Sequence, residues 1–154
     1  MTLGSTTNAN DAKTLLEKFA QAFAEDNPSL LLSLLASDCE WTIMPTGERF
    51  KGLLEIRSLT EKVQSARAHS DEAKLTIREA FSDAAHLCIE FLHRGVVTKG
   101  FEGGGIDAPP PGAIFEIDFC VTARIRDGKI IRVREYFDHS QFTTPPERRP
   151  KFFS

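Results

Sequence analysis

This sequence has no long hydrophobic run. Nothing in it approaches the ~20 apolar residues that a membrane-spanning helix needs, and the opening stretch, Met1 to Asn10, is polar where an export leader would be basic and then apolar. No membrane partner is expected, and the cytoplasm is the expected compartment. Cysteine is scarce. Cys39, Cys88 and Cys120 are odd in number, far apart and never form a C-x-x-C pair. That argues against a disulfide framework or zinc knuckle and for reduced thiols filling strand positions. Surplus positive charge is missing too: the formal net charge is −3, and no basic stripe interleaves with aromatics. A phosphate backbone would find no attraction here, so nucleic acid is not an expected partner. Trp and Tyr occur once each against 12 Phe. The core should be rich in phenylalanine.

Motifs that mark familiar chemistry are also missing. No H-E-x-x-H, H-x-H or local carboxylate cluster gathers metal ligands, and no G-x-S-x-G elbow starts a catalytic triad. Gly103-Gly104-Gly105 lacks the spacing and the following helix of a phosphate loop. The segment Glu102 to Pro111 reads instead as a flexible loop and a candidate lid.

What is present fits one domain, at 154 residues, 41% apolar and 27% charged. Residues 1–10 read as a flexible start, 11–140 as the domain, and 141–154, with Pro145, Pro146 and Pro150, as an irregular arm that packs on a neighbour. Asn10 or Asp11 can cap a helix whose Leu15, Leu16, Phe19, Ala20 and Phe23 form one apolar stripe. Asn27-Pro28 ends it and starts a second, nearly buried helix over Ser29 to Ala36, and Gly52 opens a third that runs to about Ala68. Cys39 to Met44 reads as a strand, closed by a Pro45-Thr46-Gly47 turn. Four more follow: Leu75 to Phe81, Ala84 to Val97, Ala113 to Arg126 and Lys129 to His139. Helices first and a strand meander afterwards predict an α+β fold, with the helices on one face of an antiparallel sheet.

The last two strands carry the most information. Phe115, Ile117, Phe119, Val121, Ala123 and Ile125 share one face of the first, and Ile131, Val133, Glu135 and Phe137 share one face of the second. A regular two-residue turn at Asp127-Gly128 would pair odd with even positions and mix the faces, so a three-residue loop is expected. It sets Val121 opposite Val133, Phe119 opposite Glu135 and Ile117 opposite Phe137. Glu135 is then a carboxylate on an apolar surface. Desolvation there would raise its pKa toward the range of a general acid or base, unless an Arg or Lys at the sheet edge pairs with it. His93 likewise interrupts the apolar face of Leu87, Ile89 and Phe91, either as a hydrogen-bonded core residue or as a partner to Glu135. His86 and Glu90, with Cys88 and Leu92, face the other way, toward a subunit contact. Asp118 and Glu116 read as a charge lattice with Arg124, Arg132 and Arg134, and His69 and His139 as solvent residues.

Asp38-Cys39-Glu40-Trp41-Thr42-Ile43-Met44-Pro45 followed by Gly52, and Arg124-Ile125-Arg126-Asp127-Gly128-Lys129-Ile130 through Glu135-Tyr136-Phe137-Asp138, resemble the SnoaL-like polyketide cyclases and ketosteroid isomerase relatives of the nuclear transport factor 2-like (cystatin-like) superfamily. The resemblance spans about residues 11 to 140. It implies a cone: a curved antiparallel sheet with three N-terminal helices around a pocket, dimeric through the outer sheet face. The family's catalytic groups do not carry over. Met44 stands where steroid isomerases keep their base, Val121 where they hold an oxyanion-binding Asp and polyketide cyclases an acid/base Asp, and Phe19 where the isomerases have a tyrosine. Phenazine-biosynthesis relatives resemble Arg134-Glu135-Tyr136, and their pocket glutamate matches Glu135. The expected ligand is a small hydrophobic organic molecule. Phe19, Phe23, Trp41, Met44, Ile117, Phe119, Val121, Val133 and Phe137 are expected to hold it, with Glu135 and His93 catalytic and no metal or cofactor required. The expected reaction is isomerisation, cyclisation or dehydration of a carbonyl compound. Its rivals are a non-catalytic binding or dimerisation module and an accessory subunit, and a second charged side chain in the pocket would favour turnover.

Overall fold

A computed structural model of the chain describes residues 7–67, 70–98, 111–144 and 146–151. His69 and residues 99–110, which include most of the glycine- and proline-rich candidate lid, lie outside the described residues. Helix α1 spans Ala9–Ala24 and is capped earlier than expected, by Asn8, whose side chain accepts from the Asp11 amide at 2.9 Å. Its buried stripe is Ala12, Leu15, Leu16, Phe19 and Ala22. The helix stops at Asp26, which takes a left-handed φ of 49°. There the Asp26 amide donates to the Phe23 carbonyl and the Asn27 amide to the Ala22 carbonyl. This paired return satisfies the last carbonyls of the helix. Asn27 then caps α2, Pro28–Leu34, through its side-chain oxygen on the Leu30 amide at 3.1 Å. Only Leu31 and Leu34 of α2 are buried, because the chain leaves the helix early to enter β1, Leu35–Ile43. A short strand β2, Glu48–Lys51, precedes α3, Gly52–Arg67.

Four long strands follow: β3, Ser70–Ser82; β4, His86–Val97; β5, Ile114–Arg126; and β6, Lys129–Phe137. Among the described residues the strands form an open, curved six-stranded sheet in the order β2-β1-β6-β5-β4-β3. The fold class is the expected α+β one. It departs from the expected sheet in having a sixth strand, β2, and in that β1 runs parallel to β6. No hairpin joins these two strands, so nothing forces them to be antiparallel. The main core lies between the sheet and α1 to α3, and among the described residues no helix is long and apolar enough to cross a membrane.

The β5–β6 register differs from expectation by two residues. Asp127 and Gly128 both take left-handed φ, 51° and 72°, and form a two-residue turn that pairs Arg126 with Lys129 and Ile125 with Ile130. A bulge follows, and Arg124 pairs with Arg132, leaving Ile131 as the extra residue. The bulge restores the parity that the turn had reversed. Ala123 then faces Val133, Val121 faces Glu135 and Phe119 faces Phe137. The apolar faces coincide as the alternation requires, but Glu135 sits beside Val121 and not beside Phe119.

Beyond the sheet, α4, Ser140–Thr143, and a 3-10 turn, Pro146–Arg148, fold the arm back onto its own domain. The Asp118 amide donates to the Gln141 side chain at 2.8 Å, and Arg149 donates to the Glu116 carbonyl.

Candidate functional site

Three rows of side chains cross the inner face of the sheet. One runs Leu87, Ala123, Val133, Trp41; the next Ile89, Val121, Glu135, Ile43; the third Phe91, Phe119, Phe137. Trp41 and Glu135 are therefore diagonal neighbours across the parallel β1–β6 pair. The indole Nε1 of Trp41, itself buried, donates to Oε2 of the half-buried Glu135 at 3.2 Å. Two strands on, His93 pairs with Ile117 and packs edge-on against Phe115, ring centroids 5.2 Å apart.

These groups border a cavity of about 290 Å³. Its sheet wall is aromatic: Phe91 stacks on Phe119 at 4.9 Å, Phe119 meets Phe137 at 4.7 Å, and Phe23 of α1 lies 5.4 Å from Phe91 and 6.2 Å from Trp41. The helical wall is Ala22, Leu31, Ile56, Leu59, Thr60 and Val63, and the rim carries Asp26, Asn27 and Pro28. Phe142, from the arm, closes one side against Phe115 at 5.4 Å. Among the described residues no group of three or more His, Cys, Asp and Glu side chains is placed to hold a metal.

Of the residues singled out in the sequence, Phe23, Trp41, His93, Phe119, Glu135 and Phe137 line this cavity. Phe19, Met44, Ile117, Val121 and Val133 do not. Phe19, Val121 and Val133 are fully buried core residues at 0% exposure, packed under the cavity. Ile117 belongs to a smaller cluster with Val97 and Phe115. Met44 turns outward at 38% exposure after β1 ends, and only its backbone meets the site, its amide donating to the Glu135 carbonyl at 2.9 Å. His139 is half-buried, stacked edge-on against Phe137 at 4.8 Å, rather than solvated.

Sequence reasoning missed Asp26, Phe115, Phe142 and the α3 residues. Asp26 carried a signal, because an Asp directly before an Asn-Pro helix start is a natural left-handed stop. The inward side of α3 carried little, since its apolar stripe is weak.

On the outer face, Asp118 pairs with Arg78 at 2.9 Å and Glu116 with Arg94 at 3.1 Å, so the expected lattice with Arg124, Arg132 and Arg134 is replaced by pairs to β3 and β4. Cys88 and Cys120 lie diagonally there with sulfurs 3.8 Å apart. Burial first, and the neighbouring Cys120 thiol second, push the Cys88 thiol up to about 12. His86 contacts Asp83, whose carboxyl is held below its ordinary value of 3.8 by the Ala85 amide and then by the His86 ring.

The SnoaL-like domain model matches residues 16–133 of the chain. A candidate polyketide cyclase from Xanthomonas campestris superposes with a TM-score of 0.68 at 21% identity, over 87% of this chain and 95% of its own. A candidate hydroxylase, AclR of Streptomyces galilaeus, gives 0.70 at 12% identity, over 94% and 89%. An M. tuberculosis LEH-like epoxide hydrolase gives 0.62 at 16% identity, over 87% of each chain. At these identities the likeness is one of fold. A comparison with curated proteins finds no match.

Proposed function

Because the chain belongs to the SnoaL-like domain family, we propose that it is a small-molecule enzyme that moves a proton on a hydrophobic, carbonyl-bearing substrate held in this cavity. The reaction class is isomerisation, cyclisation or dehydration. The observation that carries the reading is the Trp41–Glu135 hydrogen bond at 3.2 Å beside an aromatic wall. The indole fixes the direction of the Glu135 carboxyl group, which exchanges the proton with substrate. His93, on the same cavity, is the partner that shares or stabilises charge as it develops. Asp26 is a second acid on the cavity rim, which supports turnover over simple binding.

A binding module without catalysis is the alternative reading, favoured because Phe19, Met44 and Val121 stand where the resembling enzymes keep catalytic groups, and none of the three lines the cavity. The two readings part on one assay. Deuterium exchange into the α-carbon of hydrophobic cyclic ketones, followed by NMR, should be accelerated by the protein. Glu135→Gln should reduce that acceleration by at least about 100-fold, the usual contribution of a positioned acid or base. Glutamine keeps an acceptor for the indole, so the variant should stay folded with its near-ultraviolet spectrum unchanged. Equal exchange rates in wild type and variant would leave Glu135 a structural acceptor and the protein a binder.

A further inference from the structure

We propose that the C-terminal arm is a movable wall of this cavity, latched shut by Arg149, and that Phe142 on it sets how large a ligand the cavity accepts. The inference rests on the small-molecule reading above and adds its size limit.

It begins at a gap in the sheet. Strand β6 ends with Phe137 opposite Phe119, so Ile114 to Asp118 of β5 have no strand beside them on that side among the described residues. Backbone groups along such an edge need partners, and a neighbouring strand would supply a ladder of them. The arm supplies side chains in its place. The Asp118 amide donates to Oε1 of Gln141 at 2.8 Å, and Nη2 of Arg149 donates to the Glu116 carbonyl.

Arg149 also binds the arm to itself. Its Nε donates to the Thr144 carbonyl at 3.3 Å and its Nη2 reaches the Gln141 carbonyl at 3.4 Å, so one guanidinium ties α4 both to the strand and to the end of the arm. The arm's backbone bonds, such as Thr144 to Ser140 and Arg149 to Pro146, stay within it. It is therefore fastened to the sheet by a few side-chain contacts, where each strand is fastened by a ladder. Closure also carries a cost. Nε2 of His139, at the root of the arm, is buried without a hydrogen-bond partner among the described residues, and it regains water when the arm lifts.

Phe142 links the latch to the cavity. It lines the cavity wall and packs on Phe115 at 5.4 Å, beside Val97 and Ile117. With the arm down, its ring bounds a space of about 290 Å³, at the small end of ligand sites, about 300–1,000 Å³. Removing the ring, or lifting the arm that carries it, extends the cavity toward the β5 edge.

Trp41 is the only tryptophan in the chain and lines the same cavity, so its emission reports ligands that enter. The test titrates the full chain, Phe142→Ala and Arg149→Ala with cyclohexanone and with 4-phenylcyclohexanone, and follows hydrogen exchange at the Asp118 amide by NMR. Both variants should shift the ratio of the two affinities toward the two-ring ketone by about tenfold or more, the scale on which a hydrophobic pocket reads added bulk. Arg149 is not among the lining residues, so a shift in Arg149→Ala comes from the position of the arm and not from a lost ligand contact. The same variant should speed Asp118 exchange by about tenfold, while retained protection across the β3 to β6 meander shows that the fold survives. An unchanged size preference in either variant, or an Asp118 amide in Arg149→Ala as slow as in wild type, would overturn the proposal and leave the apolar site standing. If wild type binds neither ketone, by Trp41 emission and by an equilibrium-dialysis check, the site reading and the movable wall fall together.

Discussion

At the scale of the residue, the contact between the Trp41 indole and the Glu135 carboxyl group bears most directly on the proposed site. Trp41→Phe keeps most of the packing and removes only the N–H donor to Glu135. A hydrogen bond to a charged acceptor is worth ~1.5–3 kcal/mol, and less when the acceptor is half-exposed to water, so a stability loss of about 1–2 kcal/mol in urea melts is expected. Ketone exchange should fall roughly tenfold with little change in KM, because a freely turning carboxyl group loses orientation and not affinity. Cys39 gives a separate prediction. Burial, and then the nearby Asp38 and Glu40 charges, push its thiol up from 9.0 to about 12. The folded chain thus holds this proton where the unfolded chain releases it, so the thiol stabilises the fold below pH 9 and loses that contribution as pH rises from 9 toward 12. Melting temperatures across that window should fall less in Cys39→Ala than in wild type. The positions of Glu135 and His93 on the inner face were legible from strict alternation, and that of Trp41 from the family resemblance. Val121 and Val133 obey the same alternation, yet lie in the core, because alternation assigns a face and cannot say how far along that face the helices cover it.

At the scale of the element, packing between neighbouring strands sets the cavity's width. Gly95 of β4 faces Phe115 of β5, and a Cβ at Gly95 would sit 2.7 Å from the Phe115 ring. Phe115 is already packed between His93 and Phe142. Gly95→Ala should therefore drive that ring toward the cavity and cost about 1–3 kcal/mol, the usual penalty of overpacking, with weaker ligand binding at unchanged charge. Urea titration checks the first part, and Trp41 emission during titration with a hydrophobic cyclic ketone checks the second. The β5–β6 register shows where element-level reading stops. Asp127-Gly128 is a plain hairpin signal, and parity demanded a compensating residue somewhere. No glycine marked its place, since a bulge between the adjacent isoleucines Ile130 and Ile131 needs none. Two consecutive apolar residues in an alternating strand are the trace it left. The first three helices were legible in number and order, and their ends were not, because Asn8 and the left-handed Asp26 act through backbone geometry that residue type only suggests; the one-turn α4 is too short to leave a periodic signal.

At the scale of the whole molecule, the outer sheet face presents Phe81 and Tyr136 at 55% and 39% exposure, with Cys88, Cys120 and Thr122 half-buried among paired charges. We expect a homodimer through this face: a sedimentation mass of two chains at micromolar concentration, reverting to one chain in Tyr136→Glu, checks it. The parallel pairing of β1 with β6 has a consequence in time. The β3 to β6 meander can assemble through neighbouring contacts, but Trp41 and Glu135 stand 94 residues apart, and β1 has no hairpin to guide it to its partner. Closing so large a loop is slow. The meander can therefore be in place before the indole meets its carboxylate, and a chain whose β1 had not yet docked on β6 would hold most of the fold without the proposed site. The final quenching or shift of tryptophan emission during refolding then marks a single event, the moment at which the proposed site is first complete.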